Sequence, residues 1–194
     1  MHRAGLIGMQ RLASATALLL MLSVLAGCAT PPRQTGRQLI GLKLAPAALG
    51  ASISLQQHLT VQRDGRTDEL DAALEVDPEH LELVGLALGQ RVLTLHYDGQ
   101  NLQSWRHLML PAQVRAEDVL EDLQLTLWPL ESIRQALPAG WRAEESGLRR
   151  TLFLDDAPVT VIDYSGTPRW SGTVELSNLR YHYHLTIQSV SSGS

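Results

Sequence analysis

The sequence predicts a mainly β domain with some α: a curved antiparallel sheet or half-barrel of about nine strands, with two short central helices as a lid. Three observations lead there. Apolar and polar residues alternate with period two through most of the chain after residue 52. Turn-forming residues interrupt the alternation at short intervals. Once, between residues 116 and 137, the period becomes helical.

The elements follow in order. In 53–63, Ile53, Leu55, Leu59 and Val61 face one way and Ser54, Gln56, His58, Thr60 and Gln62 the other. Arg63-Asp64-Gly65-Arg66 signals a turn. In 69–77, Leu70, Ala72, Leu74 and Val76 oppose Glu69, Asp71, Glu75 and Asp77. Asp77-Pro78-Glu79 precedes a strand over 80–88, and Gly89-Gln90 leads into 91–97. There Leu93, Leu95 and Tyr97 oppose Val92, Thr94 and His96. Asp98-Gly99 is a hairpin turn, with 102–110 as the return strand. Ala116-Glu117-Asp118 opens a helix with Val119, Leu120, Leu123 and Leu127 on one face, its two acids in the first turn. Pro129 breaks it. Leu130, Ile133 and Leu137 predict a second short helix, closed by Pro138 and Gly140. Strands resume at 148–155 and 158–164. The last segment, 172–188, changes apolar parity between Leu176 and Leu179, which calls for a turn or bulge near Asn178.

The ends of the chain have other roles. Residues 1–11 carry Arg3 and Arg11 and no acid, and 13–26 carry no charge. A basic start before a short apolar run is a secretory signal. As a helix, the run would rise about 21 Å, short of the ~30 Å hydrocarbon core of a bilayer. It ends in Leu25-Ala26-Gly27-Cys28, which resembles a bacterial lipobox. The likeness implies cleavage before Cys28 and a diacylglycerol on its thiol, and Cys28 is the chain's single cysteine. Ala29 rather than Asp follows it, which by analogy favours the outer membrane of a Gram-negative cell, at its periplasmic face. The expected organisation is a signal peptide over 1–27, a lipidated Cys28 and tether over 28–50, one β domain over 51–188 and a disordered tail over 189–194.

Charge narrows the function. The net charge is −4, and loss of Arg3 and Arg11 with the signal leaves 14 basic against 20 acidic residues. Nucleic-acid binding needs a basic face, so it is excluded as a partner class. Nothing in the motifs points to an enzyme or a cofactor. Ser165-Gly166 and Ser171-Gly172 lack the preceding Gly of a nucleophile elbow, and no His-Glu-x-x-His or Gly-rich phosphate loop occurs. His182 and His184 stand two apart on an expected strand, a spacing that suits two imidazole ligands. No third ligand is identifiable, and His58 and His96 also fall on polar strand faces, so no metal is expected. Glu144-Glu145 and Asp155-Asp156 are neighbours that would point to opposite faces, and surface or turn roles are expected for them. Tyr181 and Tyr183 are expected on the apolar face of the last strand.

Several stretches carry a resemblance: Leu81-Glu82-Leu83-Val84-Gly85-Leu86 with Gly89, Asp122-Leu123-Gln124-Leu125 through Trp128-Pro129, Gly140-Trp141, and Tyr183-His184-Leu185-Thr186-Ile187. With the lipobox and the strand–helix–strand order, they resemble the LolB-like half-barrel lipoproteins. More narrowly, they are similar to a branch of outer-membrane lipoproteins found near aryl-polyene pigment genes. The resemblance implies a non-enzymatic protein that binds or accepts an apolar or acylated ligand (a lipid, a lipoprotein acyl chain or a polyene lipid) in a cavity. Envelope transport proteins would be possible partners. The alternation places Leu55, Leu59, Leu74, Leu83 and Leu93 on the concave face with Ile133 of the lid. Trp128 and Trp141 flank the helices where lid would meet sheet. The alternative is a structural adaptor of an envelope complex, its concave face filled by its own side chains.

Overall fold

The computed structural model describes residues 40–192. The signal peptide, Cys28, the start of the expected tether and the last two residues lie outside the described residues.

Ten strands form one open antiparallel sheet in the order β5-β4-β3-β2-β1-β10-β9-β8-β7-β6. The first five are β1 (Ile53–Arg63), β2 (Arg66–Val76), β3 (Leu81–Ala87), β4 (Gln90–Tyr97) and β5 (Leu102–Arg106). Helices α1 (Ala116–Leu127) and α2 (Leu130–Ala136) follow. The second five are β6 (Trp141–Ser146), β7 (Arg149–Leu154), β8 (Ala157–Tyr164), β9 (Gly172–Asn178) and β10 (Tyr183–Ser191). Each set of five is a meander of adjacent strands, and the two meanders meet where β1 pairs with β10, Leu55 opposite Ser191 and Arg63 opposite Tyr183.

The apolar face expected from alternation is the inner face. Leu55, Leu74, Val76, Leu83, Leu93, Leu95 and Tyr97 are buried on it. The turn near Asn178 exists and separates β9 from β10. Pro129 divides the helices, as a residue lacking an N–H and fixing φ should.

Four expectations are corrected. First, there are ten strands, since β6 was not foreseen. Of its inner positions only Trp141 and Ala143 are apolar and the third is Glu145, so the alternation breaks off after two residues. Second, the strand expected over 102–110 ends at Arg106. The chain then turns, with the His107 N–H bonded to the Val92 carbonyl at 2.9 Å. Third, residues 40–50 are not tether. Leu42, Leu44 and Leu49 are buried in the core, and Pro46–Leu49 forms a 3₁₀ turn. Fourth, Ser189, Val190 and Ser191 are not tail but the end of β10, opposite Gln57, Gln56 and Leu55. Gln57 and Ser189 are both buried and share a side-chain hydrogen bond of 3.0 Å.

Helix α1 lies on the concave face, with Ala116, Leu120, Leu123, Leu125 and Leu127 all buried. Two polar side chains are buried with them and hold the strap 40–49. Glu121 accepts from the N–H groups of Ile40 at 2.7 Å and Gly41 at 3.1 Å. Gln124 donates to the Leu44 carbonyl at 3.0 Å and accepts from the Leu44 N–H at 3.4 Å. The Trp128 indole donates to the Ala45 carbonyl at 3.0 Å. Tyr183 of β10 donates to Asp122 of α1 at 2.7 Å, tying helix to sheet. Among the described residues no helix is long and apolar enough to cross a membrane.

Gln124→Leu keeps the apolar bulk but strands both backbone groups of Leu44 away from water. The expected loss is about 2 kcal/mol, the cost of leaving buried partners unpaired, read from urea unfolding. An unchanged midpoint would mean that the strap is not clamped by this side chain.

Candidate functional site

All eight residues expected around a cavity belong to one apolar cluster. Leu55, Leu74, Leu83, Leu93, Trp128 and Ile133 are buried in it, and Leu59 and Trp141 pack against it half-buried. The structure therefore brings them together. Helix α1 packs directly on the concave face, and Leu42, Leu44 and Leu49 of the strap join the same core. Two openings lie beside this core. One, of about 270 Å³, has Leu93, Ser104, Val114 and Glu117 among its lining, beside the start of α1. The other, of about 280 Å³, lies where α1 ends and meets the second meander.

The second opening is the more structured. Leu49, Leu127, Pro129, Leu148, Pro168 and Trp170 give it apolar walls, and Glu145, Tyr164 and Arg169 supply its polar groups. Strand geometry explains the polar set. On β7, Arg149 points outward to Asp163 of β8, at 2.6 Å, and Arg150 points inward. Arg150 has 0% exposure. Its guanidinium donates to the carbonyls of Leu125 and Trp128, the latter at 2.9 Å, and to Glu145. Those carbonyls belong to the last turn of α1 and to the Trp128 that caps it, where a cation is favoured. Glu145 also accepts from Arg169 at 3.0 and 2.8 Å. Arg169 comes from the loop between β8 and β9 and lies near the Tyr164 ring, 5.9 Å from its centroid. The Tyr164 hydroxyl donates to the Thr126 carbonyl at 2.8 Å.

The electrostatics follow from this geometry. Burial works to raise the Glu145 carboxyl, but the Arg169 and Arg150 hydrogen bonds and charges outweigh it, and its pKa falls below the ordinary carboxylate value. Burial pushes the Tyr164 phenol up to about 12 against the pull of both arginines.

This site was not among the residues the sequence singled out. Glu145 was expected at the surface. The pair Glu144-Glu145 does split between two faces, with Glu144 exposed beside Arg142, but Glu145 points inward. The readable signal was Arg150, a cation at an inward parity position of a strand otherwise apolar on that face.

The remaining candidates lie elsewhere. His182 and His184 do not share a strand face. His182 sits in the β9–β10 turn with φ of 52°, and His184 is on β10, within 2.9 Å of the Ser177 hydroxyl. Tyr181 is also in that turn rather than on the strand. His58 lies beside Asp71 at 2.9 Å and His96 beside Glu82 at 3.2 Å, both exposed. Asp155 and Asp156 form the β7–β8 turn, both at positive φ. Among the described residues, Asp77, Glu79 and His80 could converge on a cation. The Asp77 carboxylate already accepts from the N–H groups of Glu79 and His80 at 2.7 and 2.8 Å, which makes it a turn cap.

Residues 54–191 match the family described as Protein of unknown function (DUF3261). The chain belongs to that family. The DUF3261 match spans all ten strands except the first residue of β1. Among solved structures, the chain is similar to a DUF1329 family protein from Desulfovibrio piger ATCC 29098, at 11% identity and a TM-score of 0.32 over 75% of this chain and 87% of that one. No curated protein matches.

Glu145→Gln leaves two arginines facing a neutral amide, and removing one partner of a buried charge pair costs about 3 kcal/mol. Glu144→Gln, at an exposed pair, is expected to cost under about 1 kcal/mol. Because the folded Glu145 carboxyl is depressed, its stabilisation is present above the unfolded value near 4.5 and is lost as pH falls through the folded one. Urea midpoints of both variants between pH 7 and pH 3 check this. The Glu145→Gln deficit should shrink towards acid pH.

Proposed function

We propose that this DUF3261 member is a non-enzymatic lipoprotein of the outer membrane, anchored through Cys28 at the periplasmic face, that binds or accepts an apolar or acylated ligand. The observation that carries the ligand reading is the opening of about 280 Å³ walled by Leu49, Leu127, Leu148 and Trp170. Apolar walls with a few convergent polar groups are the usual character of a small-molecule site. The lipobox-like Leu25-Ala26-Gly27-Cys28 supports the anchor.

Two exposed leucines support a role at a membrane. A LolB-like acceptor uses an exposed apolar loop residue to enter the bilayer. Leu88, at the tip of the β3–β4 hairpin, is 93% exposed, as is Leu108 after β5. The β4–β5 register puts both at the same end of the sheet, since Arg106 pairs with Leu93 and Gln90 with Ala87. Arg91 and Arg106 flank them and suit anionic headgroups.

The filled concave face favours a second reading, the structural adaptor. With Leu74 and Trp128 both at 0% exposure, the interior has the packing of an ordinary core.

Mass spectrometry of lipids co-purifying with the Cys28→Ser chain separates the two. A stoichiometric apolar or acylated compound is expected. Its absence, together with no binding of a fluorescent fatty acid, would leave the adaptor.

The anchor has its own check. Cys28→Ser should move the protein out of the membrane fraction and abolish labelling by a fatty-acid analogue. Adding Leu88→Glu and Leu108→Glu should then reduce its residual binding to anionic vesicles. Retention of Cys28→Ser in the membrane fraction, with neither form labelled, would overturn the lipoprotein reading.

A further inference from the structure

We infer that the opening beside the end of α1 takes a single-chain anionic amphiphile, its carboxylate or phosphate head against Arg169 and its chain along Leu148, Trp170 and Leu49. The inference rests on the apolar-ligand reading above and adds the chemistry of the head.

The charge balance points to Arg169. Two guanidiniums, Arg150 and Arg169, share one carboxylate, Glu145. The group therefore carries one positive charge in excess, since arginine stays protonated in proteins. Arg150 is not the available one. It is fully buried and its donors reach Leu125, Trp128 and Glu145. Arg169 is half-buried, lines the opening, and reaches Glu145 through Nη2 alone. Glu145 is the one carboxylate paired with Arg169 among the described residues, and the Tyr164 phenol is the other polar side chain within its reach, so the five donors of the guanidinium outnumber these partners. A guanidinium with open donors on a planar fork matches a carboxylate or phosphate.

The groups that would repel an anion are already covered. The end of a helix presents carbonyls with partial negative charge. Here Arg150 takes the Leu125 and Trp128 carbonyls, and the Tyr164 hydroxyl takes that of Thr126. The single carboxylate of the lining, Glu145, faces two cations.

The walls decide the rest of the ligand. A free phosphate would leave the apolar lining unused, and a neutral lipid would leave the Arg169 donors unmatched. An amphiphile uses both. The volume of about 280 Å³ lies just below the range of whole-ligand sites, which run ~300–1,000 Å³. The opening would thus enclose the head and the start of the chain, with the remainder passing over the exposed Leu148.

Calorimetric titration of the full chain carrying Cys28→Ser tests this with decanoate, decanol, decyl phosphate and inorganic phosphate. The two charged amphiphiles should bind roughly ten- to hundredfold tighter than decanol, the range for a hydrogen bond to a charged group. Inorganic phosphate should bind far more weakly than decyl phosphate. Arg169→Gln should erase the preference and leave decanol binding in place. Leu148→Ser, at an exposed position, should weaken decanoate and decanol alike. Rising salt should weaken decanoate and not decanol; this arm needs no substitution, so it decides even where Arg169→Gln fails to fold. Equal binding of decanoate and decanol would overturn the head-group inference and leave the apolar-ligand reading standing. Inorganic phosphate binding as tightly as decyl phosphate would make this a free-anion site and overturn the amphiphile. Binding of none of the four would remove both readings.

Discussion

The buried guanidinium of Arg150 is the interaction on which this half of the molecule depends. A fixed cation away from water is tolerated only where acceptors surround it. The last turn of α1 and its cap Trp128 supply one carbonyl each, and β6 supplies Glu145. One side chain thereby fixes the end of the helix against the second meander and forces a charged residue onto the inner face of β6. It also fixes where Arg169 can go, since Glu145 has two oxygens and both arginines draw on them.

The first half of the molecule is held by a different device. There the strap at 40–49 crosses the concave side, and α1 satisfies its backbone through Glu121, Gln124 and the Trp128 indole. An irregular segment inside a core must pair its N–H and C=O groups with something other than a sheet neighbour. Helix α1 is therefore amphipathic in an unusual sense. Its apolar side chains pack on the sheet, and two of its polar ones serve the strap that covers it.

Much of this fold was legible because alternation, turns and helix breakers are local signals. The inner faces of β1, β2 and β4 could be read from Leu55, Leu74 and Leu95, and the helix pair from Pro129. Most of what escaped reading depended on a partner in another element. Strand β6 was hidden because Glu145 stands at an inner position, which makes sense only with Arg150 five residues on. The end of β10 resembles a Ser-rich tail until Ser189 is set opposite Gln57. The strap carried its own sign: Leu42 and Leu44 are buried while Lys43 is exposed, period-two spacing masked by the neighbouring alanines and Pro46. The candidate site was missed for the same reason as β6, since its polar groups converge from β6, β7, β8 and the loop after β8.

The seam between β1 and β10 also bears on how the chain reaches this state. Within each meander, every strand pairs with a sequence neighbour, so those hairpins close short loops. The seam instead joins residues such as Gln57 and Ser189, 132 positions apart. Closing so long a loop carries the largest chain-entropy cost of any pairing in the sheet, and non-local strand pairing is slow. A chain emerging from its amino end presents β1 with an unpaired edge until its last strand arrives. Through that interval the first meander exposes Leu55 and Leu59 beside open backbone donors, the combination most prone to pairing with another chain. The final nine residues of the sheet thus do more than complete it: they end the period in which this protein can associate wrongly with itself.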